Sequence, residues 1–282
     1  MIDTKHIVCF SQGHSSALVA IEVARKFGTK DLLLINHAMN PDVEEEDIRR
    51  FGKQVSEAIG VPITYVNYQN IYEITYIPTQ FEICNKIKAI KSPRTSSAIC
   101  TYELKTKPFN TWLATNFPNK NCIIYYGFDA IETNRVTRRA SILGAMGYKS
   151  DYPLALWEDR TIFSTKDIGI SPPNVYGDFK HANCTGCLKA GIWHWYVTYC
   201  KRKDLFEAAK NMEEETGYTI LRKSINGKLE PFSLEEFEQL FSKMQSASIP
   251  PTEHLPIKEQ RQYLKKYYIE SIDDTKPCEC FV

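Results

Sequence analysis

The sequence predicts an α/β chain: a doubly wound, mainly parallel sheet with a helical, cysteine-containing extension at its C-terminal side. Two observations predict it. In the first half, short apolar runs alternate with longer stretches of helical period, the pattern of strands joined by crossover helices. After about residue 150 the strand signal stops, a stretch rich in Pro, Gly and Asn intervenes, and helical segments follow a Cys-x-x-Cys pair.

The elements follow in order. "HIVCFS" reads as a buried strand, and residues 15–28 as a helix with apolar Leu18, Ile21, Val23 and Ala24, closed by Gly28. "DLLLINHA" is a second buried strand. "NPDVEEEDIRRFGKQVSEAIG" places acids in its first turns and Gly60 at its end, as a helix dipole prefers. "PITYVNY" is a third strand, and helices are expected around 79–90 and 102–116. "NCIIYYGFD" is a further strand, and 131–146 a helix. "SPPNVYGDFKHANCTGC" reads as loop. Helical segments are expected at 189–216 and, after an "NGK" turn, at 233–245, before an irregular tail ending in Cys278 and Cys280. In a sheet of this kind, ligands sit beyond the strand C-termini, where the strand order reverses.

Charge and cysteine usage narrow the function. The 282 residues carry 35 Lys and Arg against 34 Asp and Glu, so net charge implies no general nucleic-acid-binding surface. Basic residues nevertheless outnumber acids between 81 and 150, either as a solvated face or as a surface for phosphates. No apolar run approaches the roughly 20 residues of a membrane span, and the N-terminus has no secretory pattern. A cytoplasmic location is expected, without a membrane partner. There the nine cysteines stay reduced, and clustered ones point to metal or redox chemistry.

Four stretches carry chemistry. Ser11-Gln12-Gly13-His14-Ser15-Ser16 joins the first strand to the first helix, where backbone N–H groups and the helix dipole stabilise an anion. Alone, it reads equally well as a serine N-cap. In "CTYELKTKPFNTWL", Lys105 and Lys107 stand near a helix start, which is unfavourable for the helix unless they face an anion. In "YYGFDAIETNRVTRR", Glu132 and Arg135 share a helix face, and Arg135, Arg138 and Arg139 offer bidentate contacts to phosphate. In "HANCTGCLKAG", Cys184 and Cys187 form a metal-like or redox pair that His181, Cys100, Cys200, Cys278 or Cys280 could complete.

Taken in order, these stretches resemble the PP-loop superfamily, and more narrowly the phosphoadenosine-phosphosulfate reductase-like (adenine nucleotide α-hydrolase-like) proteins. The family's S-G-G-x-D-S loop corresponds to residues 11–16, its C-x-x-x-x-K-x-x-P element to Cys100, Lys105 and Pro108, and its G-x-x-x-x-E-x-x-R element to Gly127, Glu132 and Arg135. Its late C-x-x-C matches Cys184 and Cys187, and "DLFEAAKNMEEETGYTI" resembles the helix that follows that pair in phage-encoded and bacterial members. The resemblance implies a nucleotide-binding unit over 1–180 and an extension over 181–282.

It further implies an adenine nucleotide such as ATP across the strand ends. Its phosphates would lie against Ser11, Gly13, His14, Ser15, Ser16 and Gly127, and its base against Asn36, His37 and Ala38. Lys105, Glu132 and Arg135 would act on the anion, with Mg²⁺ on the leaving group. ATP-using members cleave the α–β bond and adenylate an acceptor, in some cases for sulfur transfer; a nucleic acid is a candidate acceptor. Two positions depart from the motif: Gln12 replaces a glycine, and Ser15 replaces the aspartate, leaving Asp42, Asp129 or Glu132 as substitute acids. Cys100, Cys184 and Cys187 would hold a [4Fe–4S] cluster with one open iron, or a fourth ligand would come from Cys200, Cys278 or Cys280. A zinc site from Cys184, Cys187, Cys278 and Cys280 is the competing arrangement. Two other functions stay open: a sulfonucleotide reductase using a tail cysteine, and a nucleotide-binding module without catalysis. A homo-oligomer is compatible with either.

Overall fold

The computed structural model describes residues 4–67, 76–92, 97–181, 184–225 and 228–267. The first half alternates β1 (Lys5–Cys9), α1 (His14–Phe27), β2 (Leu32–Asn36), α2 (Glu46–Ile59), β3 (Ile63–Tyr65) and α3 (Gln80–Ile87). Next, α4 (Ile99–Thr101) passes through a π-helical turn, Tyr102–Thr106, into α5 (Lys107–Asn116). β4 (Cys122–Tyr125), α6 (Thr133–Ala145), β5 (Lys149–Asp151) and the short α7 (Pro153–Leu156) complete this half.

All five strands pair in parallel, in the order β3-β2-β1-β4-β5. The α/β expectation therefore holds, with β5 added at an edge. Alternation along each strand separates two layers. Val8, Leu34 and Tyr125 pack with α1 and α2 through Val19, Phe51 and Val55. Ile7, Ile35 and Ile124 face the other way, onto Phe109 and Leu113 of α5 and Leu143 of α6. The β1 residues Ile7 and Val8 are wholly buried, as a central strand covered on both faces requires.

The C-terminal part contains α8 (Ile192–Lys201), α9 (Lys203–Thr216), the antiparallel pair β6 (Leu221–Ile225) and β7 (Lys228–Phe232), α10 (Leu234–Ser246) and α11 (Ile257–Lys266). The single helical stretch expected at 189–216 is thus two helices, and the stretch after 245 adds α11. Their aromatic core, including Trp195, Phe206, Phe237 and Phe241, also takes in Met39, Val43, Phe81, Cys84 and Leu104. One apolar cluster thereby joins residues on both sides of position 180. Among the described residues, no helix is long and apolar enough to cross a membrane.

Glu213 of α9 ties this region together. Its carboxylate accepts the backbone N–H groups of Ile220 and Leu234, at the starts of the hairpin and of α10. Burial outweighs those two bonds and raises its pKa to about 7. A carboxyl that holds its proton more tightly when folded contributes most stability below its unfolded value. That contribution is lost as pH rises from about 4.5 to about 7. Unfolding in denaturant at pH 5 and pH 8 should show this loss, and Glu213→Gln should flatten the slope; an unchanged slope would assign it to other groups.

Candidate nucleotide cleft and thiol cavity

β1 has β2 on one side and β4 on the other, so the strand order reverses between β1 and β4. A cleft of about 560 Å³ opens there. That is within the usual range for a small-molecule site. Its lining includes Ser11, Gly13, His14, Ser15 and Ser16 from the β1–α1 loop, Gly127 and Phe128 after β4, and Glu132 and Arg135 around the start of α6.

The loop is shaped by contacts far away in sequence. Gln12 adopts φ 60°, the left-handed conformation that favours glycine. Its side chain lies over Gly52 of α2, where any Cβ would fall 2.6 Å from it, and its Nε2 donates to the Tyr65 hydroxyl at 3.0 Å. Gly52 thus makes room for the residue that replaces a motif glycine. On the other side, a Cβ at Gly127 would lie 2.9 Å from the backbone N of Ser16. Only glycine lets the end of β4 approach the loop this closely.

Gly13 is the N-cap of α1 and has no side chain with which to cap the helix. The serine N-cap reading is thereby replaced. The Ser16 hydroxyl donates instead to Gly13 O at 2.9 Å and lies 3.1 Å from the Ser11 hydroxyl. The His14 N–H donates to the Tyr176 hydroxyl at 3.0 Å. Thr165 N–H donates to His14 Nε2 at 3.3 Å, so neutral His14 carries its proton on Nδ1. Burial lowers the His14 pKa, which favours this neutral form.

Glu132 and Arg135 form an ion pair, and Glu132 also accepts the Asp129 N–H at 2.8 Å. The Arg135 guanidinium lies 4.3 Å from the centre of the Phe128 ring. Lys166, Tyr176, Lys180, His181 and His254 complete the far wall. Glu253 braces that wall: it accepts Lys180 N–H at 2.7 Å and pairs with His194 Nδ1 at 2.6 Å. Sequence reading missed Lys166, Tyr176, Lys180 and His254, because isolated residues in a long loop carry no spacing signal.

Other expected residues lie elsewhere. Asn36, His37 and Ala38 at the end of β2 are buried and outside the cleft lining. Burial, reinforced by the Lys105 charge, lowers the His37 pKa to about 3. The Asn67 carboxamide accepts the Ala38 N–H and donates to the Ala38 carbonyl, both at 2.8 Å. Lys105 does not line the cleft. The π-helical turn aims it inward, 6 % exposed, with Nζ 4.0 Å from Cys184 Sγ.

Lys105 instead borders a second, small cavity, about 20 Å³, lined by Cys100, Cys184, Cys187, Gln80 and Lys189. Gln80 of α3 holds the Cys-x-x-Cys loop by donating to the carbonyls of Thr185 and Gly186 at 3.1 and 3.2 Å. The left-handed Gly186 (φ 72°) turns that loop against Phe81. The three expected thiols are therefore neighbours. Burial pushes the Cys184 thiol up and the Cys187 thiol to about 12. They line a cavity rather than converge on a point: among the described residues, no three His, Cys, Asp or Glu side chains stand in a metal-holding arrangement. Cys200 lies away from this cavity, within hydrogen-bonding reach of Tyr196. Cys278 and Cys280 lie outside the described residues.

No family model matches the chain, and the search of curated proteins found no match to it. Among solved structures, the U34-tRNA thiolase NcsA from Methanococcus maripaludis with its [4Fe-4S] cluster aligns at a TM-score of 0.39 and 13% identity, covering 99% of this chain and 80% of that chain.

Proposed function

We propose that the switch-point cleft binds an adenine nucleotide by its phosphates and that the chain is a PP-loop enzyme adenylating an acceptor. The observation that carries this reading is the N-terminus of α1, which Gly13 leaves without a side-chain cap and where the His14 N–H alone meets Tyr176, pressed against Gly127 and opening into a cleft with Arg135, Lys166 and Lys180 in its lining. Orphan N–H groups and a positive helix end favour a phosphate there.

In the proposed reaction an acceptor oxygen bonds to the α-phosphorus, the α–β bridging bond breaks, and pyrophosphate leaves with the electron pair. The loop N–H groups and the Ser11, Ser15 and Ser16 hydroxyls hold the phosphoryl oxygens. Arg135, Lys166 and Lys180 stabilise the leaving charge. Glu132 is the only carboxylate in the described lining, and it is already bonded to Arg135 and the Asp129 N–H. These residues do not fit a protein-held magnesium site. The base is assigned to the end of β2. An adenine edge offers the acceptor and donor that Asn67 now presents to Ala38, so Asn67 gives way when the base binds.

Cys100, Cys184 and Cys187 are donors of the type that holds an iron–sulfur cluster, but they do not converge on a point and their cavity is about 20 Å³, so they do not fit such a group as they stand and no step is routed through it.

Calorimetric titration with ATP, coupled to assays for AMP and pyrophosphate, tests the reading. Lys166→Met and Arg135→Met should each weaken binding by about tenfold or more, and Asn67→Ala should tighten it several-fold. No binding of ATP, AMP or a sulfonucleotide at millimolar concentration would reject the cleft assignment. Binding without turnover would favour the non-catalytic module, in keeping with Ser15 at the motif's acidic position.

A further inference from the structure

The first N–H of α1 is already occupied. Of the N–H groups of His14, Ser15 and Ser16, that of His14 alone has a hydrogen-bond partner among the described residues: the Tyr176 hydroxyl, at 3.0 Å. We propose that this hydroxyl stands in for a phosphate oxygen, and that an anion entering the cleft expels it and loosens the segment that carries it. The inference rests on the phosphate site of the preceding reading and concerns how that site is kept closed.

Three features support it. First, the exchange is favourable. A phenol oxygen is a neutral acceptor, whereas a phosphate oxygen is charged and makes a hydrogen bond roughly twice as strong. The positive end of a helix adds to that preference. Second, the hydroxyl stands where the anion is assigned. Tyr176 is half-buried and belongs to the cleft lining, together with Pro172, Lys180 and His181 of the same segment. Third, the segment is tied on both sides of the contact. Tyr176 sits in a single 3₁₀ turn, Asn174–Gly177. On one side the Asn174 N–H donates to the Asp47 carboxylate of α2 at 2.6 Å. On the other, His254 Nε2 donates to the Tyr176 carbonyl at 2.6 Å, and the Glu253 N–H donates to the Asp178 carbonyl at 2.8 Å. A turn this short shifts as a unit, so losing its hold on α1 loosens these ties as well.

The empty cleft therefore closes itself. Without an anion, Tyr176 satisfies an orphan donor and holds its turn against α1. With one, the turn is released, and the change reaches residues 252–254 through His254 and Glu253. Phosphate occupancy is thereby coupled to the C-terminal part of the chain, and the coupling is reciprocal: a partner that draws this turn away from α1 tightens anion binding by the same factor.

The test uses the full chain and pyrophosphate, which offers phosphate oxygens without a base. Tyr176→Phe keeps the ring and deletes the hydroxyl, and should tighten pyrophosphate in calorimetry by about threefold to tenfold. Tyr218→Phe, an exposed tyrosine beyond α9, should leave the affinity unchanged. In wild-type protein, saturating pyrophosphate should quicken hydrogen exchange at the Asn174 N–H. Unchanged affinity in Tyr176→Phe would overturn the proposal. So would weaker affinity, which means that the hydroxyl stays and donates to the bound anion. Unchanged exchange at Asn174 would overturn the release of the turn, and this readout stands even if the variant fails to fold. ATP titration of the same proteins separates the two readings. Equal ATP affinity in wild type and Tyr176→Phe keeps the nucleotide site and rejects the latch. Tighter pyrophosphate without any ATP binding keeps the latch and rejects the nucleotide. No binding of either anion by both proteins rejects both.

Discussion

Replacing Gly127 by alanine should both destabilise the protein and remove nucleotide binding. The added Cβ would lie 2.9 Å from the Ser16 nitrogen and 3.0 Å from the Ser15 carbonyl carbon, and these are backbone atoms that cannot rotate aside. Either the end of β4 retreats or the first turn of α1 is displaced. Overpacking of this kind costs about 1–3 kcal/mol. The displaced N–H groups are those assigned to phosphate, so ATP affinity should fall by more than the stability loss alone would produce. Gly144→Ala is the matching control. It sits in α6 with nothing within 4 Å of the new Cβ and should raise stability by roughly 0.5–1 kcal/mol. Equal stability of the two variants in urea would show that the close approach at Gly127 relaxes freely.

Glu22→Ala should cost about 2–4 kcal/mol, a large fraction of ordinary domain stability. Glu22 is a buried carboxylate on α1, 2 % exposed. It accepts the Ile162 N–H at 2.8 Å, the Thr161 N–H, and the Thr161 hydroxyl at 3.2 Å. Truncation leaves the Ile162 donor buried without its partner. The damage should spread toward the cleft, because the anchored segment leads directly into Ser164 and Lys166 of its wall. Hydrogen exchange should quicken at Thr161, Ile162 and Thr165, and ATP binding should weaken even though Glu22 touches no ligand. Unchanged exchange at these amides would show that the segment is held by Ile162 packing instead.

The parts of the fold legible in the sequence are those fixed by local pattern. β1, β2 and β4 are apolar runs because both of their faces are covered, and α2 announces itself by its acids and Gly60. β5, "KSD", is polar and short; only its pairing with β4 makes it a strand. The β6–β7 pair hides in "LRKSINGKLEPF", where the turn is visible but the flanking charges obscure the strands. In the site, the loop, Gly127 and the Glu132–Arg135 pair were legible because their spacing is short and fixed. The left-handed Gln12 was not, since Gly52, forty residues on, is what admits it. Nor was the direction of Lys105, which depends on a widened helical turn.

The π-helical turn at Tyr102–Thr106 has one more consequence. Such a turn is equivalent to one extra residue spliced into an α-helix, with the flanking turns left in place. Cys100 on one flank and the buried pair Phe109 and Leu113 on the other are therefore set independently of it. A single-residue deletion inside 102–106 would let the helix close into ordinary α geometry while keeping both flanks seated. The inward ammonium at the thiols is thus a detachable insertion, which a chain of this fold can gain or lose in one step without rethreading its core.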